Sequence, residues 1–310
     1  MNDVLKGMYF FTRFAYSFSA LGYRQRRLLW KNRPRDFRDQ RWLVSGASGG
    51  IGRAIAAGAA DGSAEVLALS RSADKLADLK SNVGESILSR PVDLSLTENV
   101  LTFLDELSAS ECKSTIDVLV NNVGVLLNKH QVSDEGHELS FATNLLNHYV
   151  LTNGLIERGL LADDAVIINM SSGGMYNVPL KVERLNELNP DRYDGVQAYA
   201  YQKRAQVELN EWWRQRHADR DWCFYVMHPG WVDTEGVKTS LPAFRALFQH
   251  VLRDAEAGAD TAIWLASARP SQQKEGSIWF DRSEESAHLG RSTRQEGGDV
   301  ASLVEYLDSL

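Results

Sequence analysis

The chain has 310 residues, 44% of them hydrophobic, enough for one large or two small domains around a substantial core, which excludes a disordered chain. Its formal charge of −7, from 34 Lys and Arg against 41 Asp and Glu, argues against a protein that must neutralise a nucleic-acid backbone. Cys112 and Cys223 stand far apart and outside any C-x-x-C spacing, which excludes a disulfide framework and a cysteine zinc site and fits a reducing, cytoplasmic compartment.

Residues 1–40 read as a separate aromatic and basic extension. Residues 1–41 carry ten Lys/Arg against Asp3, Asp36 and Asp39, so the remainder is strongly acidic. Before the basic cluster, residues 7–23 are apolar and aromatic, but Arg13 interrupts them short of the ~20 residues a membrane-spanning helix needs. The basic residues follow the apolar run, the reverse of a secretory signal. Two uses stay open. The segment can lie in a bilayer interface as a peripheral contact, or Tyr9, Phe10, Phe14 and Phe18 can pack on the domain or on another subunit of a homo-oligomer.

From residue 41 apolar runs alternate with helical patterns. Strands are expected at 42–45, 64–69, 87–92, 116–120, 165–170, 222–227 and 277–280, and helices at 51–60, 73–79, 99–107, 139–155, 196–216 and within 296–310. Without a Gly-, Pro- or Ser-rich linker or a repeat, residues 41–310 read as one α/β domain: a Rossmann-type, doubly wound parallel sheet of about seven strands with helices on both faces. Residues 175–195 and 232–251 read as long loops leaving strand carboxyl ends, where ligands bind in such sheets, and are the expected walls of a substrate pocket.

The run Ser45-Gly46-Ala47-Ser48-Gly49-Gly50-Ile51-Gly52 joins the first strand to the first helix. Glycines there let helix N-terminal N–H groups approach a pyrophosphate. Where dinucleotide folds place an acidic residue for the adenosine ribose, this chain has Ser70-Arg71, which favours NADP(H) over NAD(H) because a guanidinium can grip a 2′-phosphate. In Tyr199-Ala200-Tyr201-Gln202-Lys203 only Tyr199 stands four residues before the lysine, on the same helix face. A cation there lowers a phenol's pKa and fits it for proton transfer. None of the seven histidines has ligand spacing, so no metal is expected.

These residues, with Asn121-Asn122-Val123-Gly124, Asn144, Ser171-Ser172 and Pro229-Gly230, resemble the classical short-chain dehydrogenase/reductase family over residues 41–280. Ser171-Ser172-Gly173-Gly174-Met175, the run from Met227 to Thr234, and Phe280-Asp281-Arg282 look more like the branch typified by dehydrogenase/reductase family member 12. The resemblance implies a pyrophosphate turn of Gly46, Gly50 and Gly52 with Ser45, Ser48 and Ile51 around it. It further implies that Asp93 and Leu94 bracket adenine, and that Asn122, Val123 and Gly124 border the ribose. Pro229, Gly230, Val232 and Thr234 would flank the nicotinamide. Tyr199 would be the general acid, Lys203 its activator and ribose ligand, Ser172 the carbonyl ligand, and Asn144 the holder of a proton-relaying water. Val123 replaces the family's usual alanine, and the 27 residues from Ser172 to Tyr199 exceed the spacing of minimal members. Trp231, next to the nicotinamide turn, is placed near substrate, and His228 reads as a packing residue. The implied activity is hydride transfer between NADP and a small apolar alcohol, aldehyde or ketone. The alternative is a non-catalytic nucleotide-sensing or membrane-docked protein on the same fold.

Overall fold

The computed structural model describes residues 14–31, 35–110, 115–272, 274–290, 293 and 299–310. Tyr9, Phe10 and Cys112 lie outside the described residues. Seven parallel strands form most of one sheet: β1 (Arg41–Ser45), β2 (Glu65–Ser70), β3 (Ile87–Pro91), β4 (Ile116–Asn121), β5 (Leu161–Met170), β6 (Cys223–Met227) and β7 (Ser277–Phe280). The order is β3-β2-β1-β4-β5-β6-β7, and the chain's winding reverses between the parallel neighbours β1 and β4, which opens a crevice at their carboxyl ends.

Period-2 alternation sends each strand's side chains to two cores. Leu43, Leu67, Leu69, Leu119, Ile167 and Phe224 face one layer of helices. Trp42, Val44, Val66, Val118, Val120, Ile168 and Met227 face the other. The first layer holds α4 (Thr97–Ala109), α5 (Asn147–Glu157), α6 (Gly195–Arg216) and α10 (Val300–Asp308); the second holds α2 (Gly50–Asp61), α3 (Ala73–Val83) and α9 (Ala255–Ala268). Each fully buried aliphatic chain contributes about 1.5–3 kcal/mol, so both faces of the sheet are strongly specified.

The structure departs from the sequence reading in four places. An eighth strand, β8 (Ser283–Ser286), pairs antiparallel with β7 at the sheet edge. It is polar throughout, and its turn depends on positive φ at Asp281 and Arg282, so no alternation marks it. Helix α9 is missing from the reading because it is alanine-rich and buried around most of its circumference, which removes the contrast between faces. The 232–251 segment contains α7 (Glu235–Ser240) and α8 (Pro242–Phe248), where an irregular loop was expected. The helix expected over 139–155 is interrupted by a π-helical turn, Ala142–Leu146.

The described part of the extension is built into the domain. Residues 14–18 are helical and α1 (Ala20–Arg27) follows. Phe18 is 2% exposed and packs with Met175, Tyr176, Val226, Ile278 and Phe280, while Phe14 stacks on Phe18 at 4.2 Å. Among the described residues no helix is long and apolar enough to cross a membrane.

Candidate active site

The crevice begins at the glycine turn. Gly46 (φ 68°) and Gly50 (φ 51°) occupy the left-handed region, which a side chain disfavours. A Cβ on Gly52 would collide with the Gly46 carbonyl oxygen and Asn122 Nδ2. Gly49 caps α2 without a side-chain bond, and a Cβ there would meet nothing within 4 Å, so the start of the helix adjoins open space. A backbone cradle at a helix N-terminus fits a pyrophosphate. Ile51 lies half-buried beside it and reaches toward Gly258.

Side chains around the turn hold strand ends together. Ser45 Oγ donates to Val120 O at 3.2 Å and accepts from the N–H groups of Asn122 (2.9 Å) and Val123 (3.0 Å). Asn122 Nδ2 donates to Ser45 O at 2.8 Å, which joins β1 to β4 at the switch point. Ser70 Oγ donates to Ser48 Oγ at 2.7 Å and so pins the end of β2 to the turn. Arg71 follows, exposed, with no ion-pair partner among the described residues. Asp93 accepts from Ser95 N–H and Oγ–H at 3.0 and 2.8 Å, and the carbonyl of buried Leu94 accepts from Asn147 Nδ2 at 3.0 Å.

At the ends of β4 and β5 the four expected catalytic side chains converge. Asp194 caps α6 by accepting from the N–H groups of Val196 (3.0 Å) and Gln197 (3.1 Å), and one turn later the helix presents Tyr199 and Lys203 on one face. Lys203 Nζ lies 5.5 Å from the Tyr199 ring centroid and donates to Met170 O (2.7 Å) and Gln206 Oε1 (3.2 Å). Ser171 Oγ donates to Lys203 O at 2.8 Å, tying α6 to the strand end, and the neighbouring Ser172 hydroxyl accepts from Gly174 N–H at 3.4 Å. Asn144 sits in the π-helical turn, with Oδ1 accepting from Val125 N–H (2.7 Å) and Nδ2 donating to Val125 O and Gln202 Oε1 (2.8 Å each). Gly124 is exposed, and a Cβ there would lie 3.4 Å from Lys203 Nζ and 3.5 Å from Asn144 Oδ1, which puts the opening of the site at this residue. Tyr201 turns away, packing against the first core under the Arg184 guanidinium.

Several polar partners escaped the sequence reading. Gln206 Nε2 donates to Asn144 O (2.6 Å) and to His148 Nδ1 (2.9 Å), so its carboxamide spans Lys203 and Asn144, the two residues that the resemblance links by a relayed proton. Buried Glu138 accepts from Gln202 Nε2 at 3.1 Å and from Ser140 and Phe141 N–H. The available signal was a stripe of amides, Gln202, Gln206 and Asn210, at four-residue spacing on a face that is buried.

Burial sets the electrostatics. It brings the Lys203 ammonium down from 10.5 to about 7 and the His148 imidazole to about 3, the latter helped by the Lys203 charge. Burial also pushes the Tyr199 phenol above its ordinary value, with the Ser172 hydrogen bond opposing it. Lys203 Nζ is turned to Met170 O and Gln206, and the Ser172 hydroxyl is the group that opposes burial in favour of phenolate.

The other wall follows β6. His228 is buried as a packing residue, stacked on Phe280 at 4.4 Å, and its Nδ1 accepts from Gly230 N–H at 3.0 Å. Pro229 and Gly230 form the turn; Val232 is buried, with Cγ2 2.8 Å from where a Cβ on Gly258 would lie. Thr234 caps α7, and its Cγ2 lies 3.5 Å from a Cβ placed on Gly50, so this turn returns to the glycine turn. The far end of α7 is tied across the opening, with Ser240 Oγ donating to Leu126 O and Asn128 Nδ2 to Ser240 O at 2.9 Å. Trp231 packs with Phe244 and Phe248 at 5.2 and 4.9 Å. In the 175–195 segment Met175, Tyr176, Leu180 and Leu185 turn inward, and buried Arg204 donates to the carbonyls of Met175 and Val178. Among the described residues no three His, Cys, Asp or Glu side chains come together to hold a metal ion.

The geometry has counterparts. The family model for short chain dehydrogenases matches residues 40–182. Dehydrogenase/reductase SDR family member 12 of Bos taurus is 35% identical over 280 residues, covering 87% of this chain and 85% of its own. The chain belongs to the short-chain dehydrogenase/reductase family. Within it the chain falls in the member 12 branch and is an NAD(P)-dependent oxidoreductase. Human retinol dehydrogenase 12 is 28% identical over 77% of each chain. A crystal structure of an uncharacterised protein from Mycobacterium paratuberculosis shares the fold at a TM-score of 0.68 and 24% identity, covering 88% of this chain and 94% of its own.

Proposed function

We propose that the chain transfers hydride between NADP and an apolar alcohol or carbonyl compound, with Tyr199 as general acid and base. The observation that carries this reading is the meeting of Ser172, Tyr199, Lys203 and Asn144 beside an open glycine cradle, drawn from the end of β5, α6 and the π-helical turn. When bound, the nicotinamide supplies the carbon that gives or takes the hydride. The backbone of residues 46–52 would hold its pyrophosphate, and Arg71, exposed at the end of β2, a 2′-phosphate. Ser172, at the end of β5, and Tyr199, on α6, would face a substrate oxygen together. Ser172 would hold that oxygen while the Tyr199 hydroxyl donates its proton in reduction and recovers one in oxidation. Lys203, held by Met170 O and Gln206, would bind the nicotinamide ribose. The retinol named for one relative is an apolar alcohol and supports the substrate class.

NADPH oxidation with a panel of apolar aldehydes and ketones tests the reading. Turnover of at least one is expected. Tight NADPH binding with no turnover of any would move the reading to a nucleotide-sensing protein.

We further propose peripheral membrane contact through the end of α1. Phe14 and Phe18 are turned into the domain, but Leu28 and Leu29 are 84% and 83% exposed next to Arg24 and Arg27. Apolar tips flanked by cations suit an anionic bilayer surface. Salt-sensitive co-sedimentation with anionic vesicles, lost in Leu28→Ser/Leu29→Ser, is the expected result, and equal binding of the variant would remove the proposal.

A further inference from the structure

We propose that the Phe280-Asp281-Arg282 turn is a socket for the N-terminal extension and that, through Arg253, it fixes the Pro229–Gly230 turn of the site. This inference rests on the reading of Pro229 and Gly230 as the nicotinamide-flanking turn.

Every side chain of the motif is engaged by the extension or by the turn. Asp281 binds the fully buried Arg253 through two hydrogen bonds, at 2.6 and 2.9 Å, and also binds Arg26 of α1. The Phe280 ring lies 5.0 Å from both guanidinium carbons and stacks on His228. Arg282 pairs with Asp260 at 2.7 and 2.8 Å and covers the Trp30 ring at 4.3 Å.

Arg253 then carries the connection inward. Its Nε and Nη2 donate to the carbonyls of Phe18 and Ser17 at 2.9 and 3.1 Å, and its Nη1 donates to Pro229 O at 3.2 Å. Its backbone N–H donates to Trp231 O at 2.7 Å, and its carbonyl accepts from Asp233 N–H at 2.9 Å. Phe18 O also accepts from Trp231 N–H at 2.9 Å. A Cβ on Gly230 would lie 2.5 Å from the Arg253 guanidinium carbon, so the guanidinium fills the space that a larger residue would take. One arginine thus contacts the extension, the socket and both sides of the turn. Removing one partner of such a buried pair leaves an uncompensated charge, which frees whatever the pair was holding.

The test uses the full chain with Arg26→Ala, Arg26→Lys and Asp281→Asn; asparagine tolerates the left-handed backbone at 281 (φ 47°), so the socket turn is kept. Amide exchange at Trp231 and Ala20 is measured without cofactor, NADPH affinity by fluorescence titration, and kcat with a turned-over carbonyl compound. Arg26→Ala and Asp281→Asn are expected to speed exchange at Trp231 and to lower NADPH affinity and kcat by about tenfold each, as displaced binding geometry does, with Arg26→Lys recovering most of both. Faster exchange with affinity and kcat within twofold of wild type would overturn the proposal, because the socket would then hold the extension alone. Lower kcat with unchanged exchange would overturn it as well. Failure of the wild-type chain to bind NADPH would instead overturn the reading of the site; the exchange comparison, made without cofactor, is independent of that result.

Discussion

Around β1, β2 and β4 the bonds that shape the site run between neighbouring strand ends: Ser45 to Asn122 and Val123, and Ser48 to Ser70. Around β6 and β7 they run between the chain's two ends, with Arg253 reaching back 235 residues to Phe18 and Arg26 reaching forward 255 residues to Asp281. The first region is shaped by glycines whose backbone forms an open cradle. The second is shaped by buried arginines that hold carbonyls of distant segments. A short motif suffices for the first, whereas the second exists only after the ends of the chain have met.

The sharpest test of the first region is its chemistry. Tyr199→Phe should retain NADPH affinity and lose ~10²-fold or more in turnover, the scale of a positioned proton donor. Tyr201→Phe, on the opposite face under Arg184, should be nearly silent. Equal losses in the two variants would break the distinction between the faces of α6. Next in size is Arg71→Ala, expected to weaken NADPH by about 1.5–3 kcal/mol and NADH little, since the lost bond is charge-assisted. Equal weakening of both cofactors in a titration would remove the assignment of Arg71 to the 2′-phosphate.

The same contrast explains what the sequence revealed. Tyr199 and Lys203 were legible because i, i+4 spacing converts directly into proximity, Ser172 because it follows a buried strand, and Asn144 only through the family resemblance; the parallel sheet was legible because β1, β4 and β5 are buried runs bounded by turn residues. Helix α9 was not, because burial on nearly all sides erases helical periodicity, and β8 was not, because an edge strand of Ser and Glu carries no apolar face. Gln206 and His148 were hidden for another reason. Their function in the fold is to satisfy each other and Asn144, and nothing in the spacing of a glutamine and a histidine 58 residues apart announces that pairing. Phe280-Asp281-Arg282 was visible as a motif, but its partners Arg26 and Arg253 are too distant in sequence for spacing to join them.

Titration separates the buried lysine from its surroundings. With Lys203 lowered from 10.5 to about 7 by burial, the folded chain binds fewer protons than the unfolded chain between those values. Stability linked to Lys203 is therefore fully present above pH 10.5 and is lost as pH falls toward 7. Tyr199, raised from 10.0, works in the opposite direction only from its unfolded value upward. Across the slightly alkaline range below pH 10, cofactor-free protein should gain up to about 1.4 kcal/mol per pH unit from this one group. Lys203→Met should flatten that slope in denaturant titrations, and an unchanged slope would locate the titration elsewhere.

The smallest expected effect separates helix α9 from the arginine that precedes it. Asp254 stands next to Arg253 and caps α9, its Oδ1 accepting from Ala257 N–H at 2.7 Å. The helix packs on α2 through Ile263 against Gly58 and supports Val232 at Gly258, so loosening its first turn tests whether the helix or the Arg253 clamp sets the Pro229–Gly230 turn. Asp254→Ala should cost about 1 kcal/mol of unfolding free energy, the usual value of a lost N-cap. NADPH affinity and kcat should stay within twofold, because the bonds from Arg253 to Pro229, Trp231 and Asp281 do not depend on the cap. A tenfold loss of cofactor affinity in Asp254→Ala, matching that expected for Arg26→Ala, would mean that the turn is held by the packing of α9 as a whole. The long-range arginine network would then be a consequence of that packing.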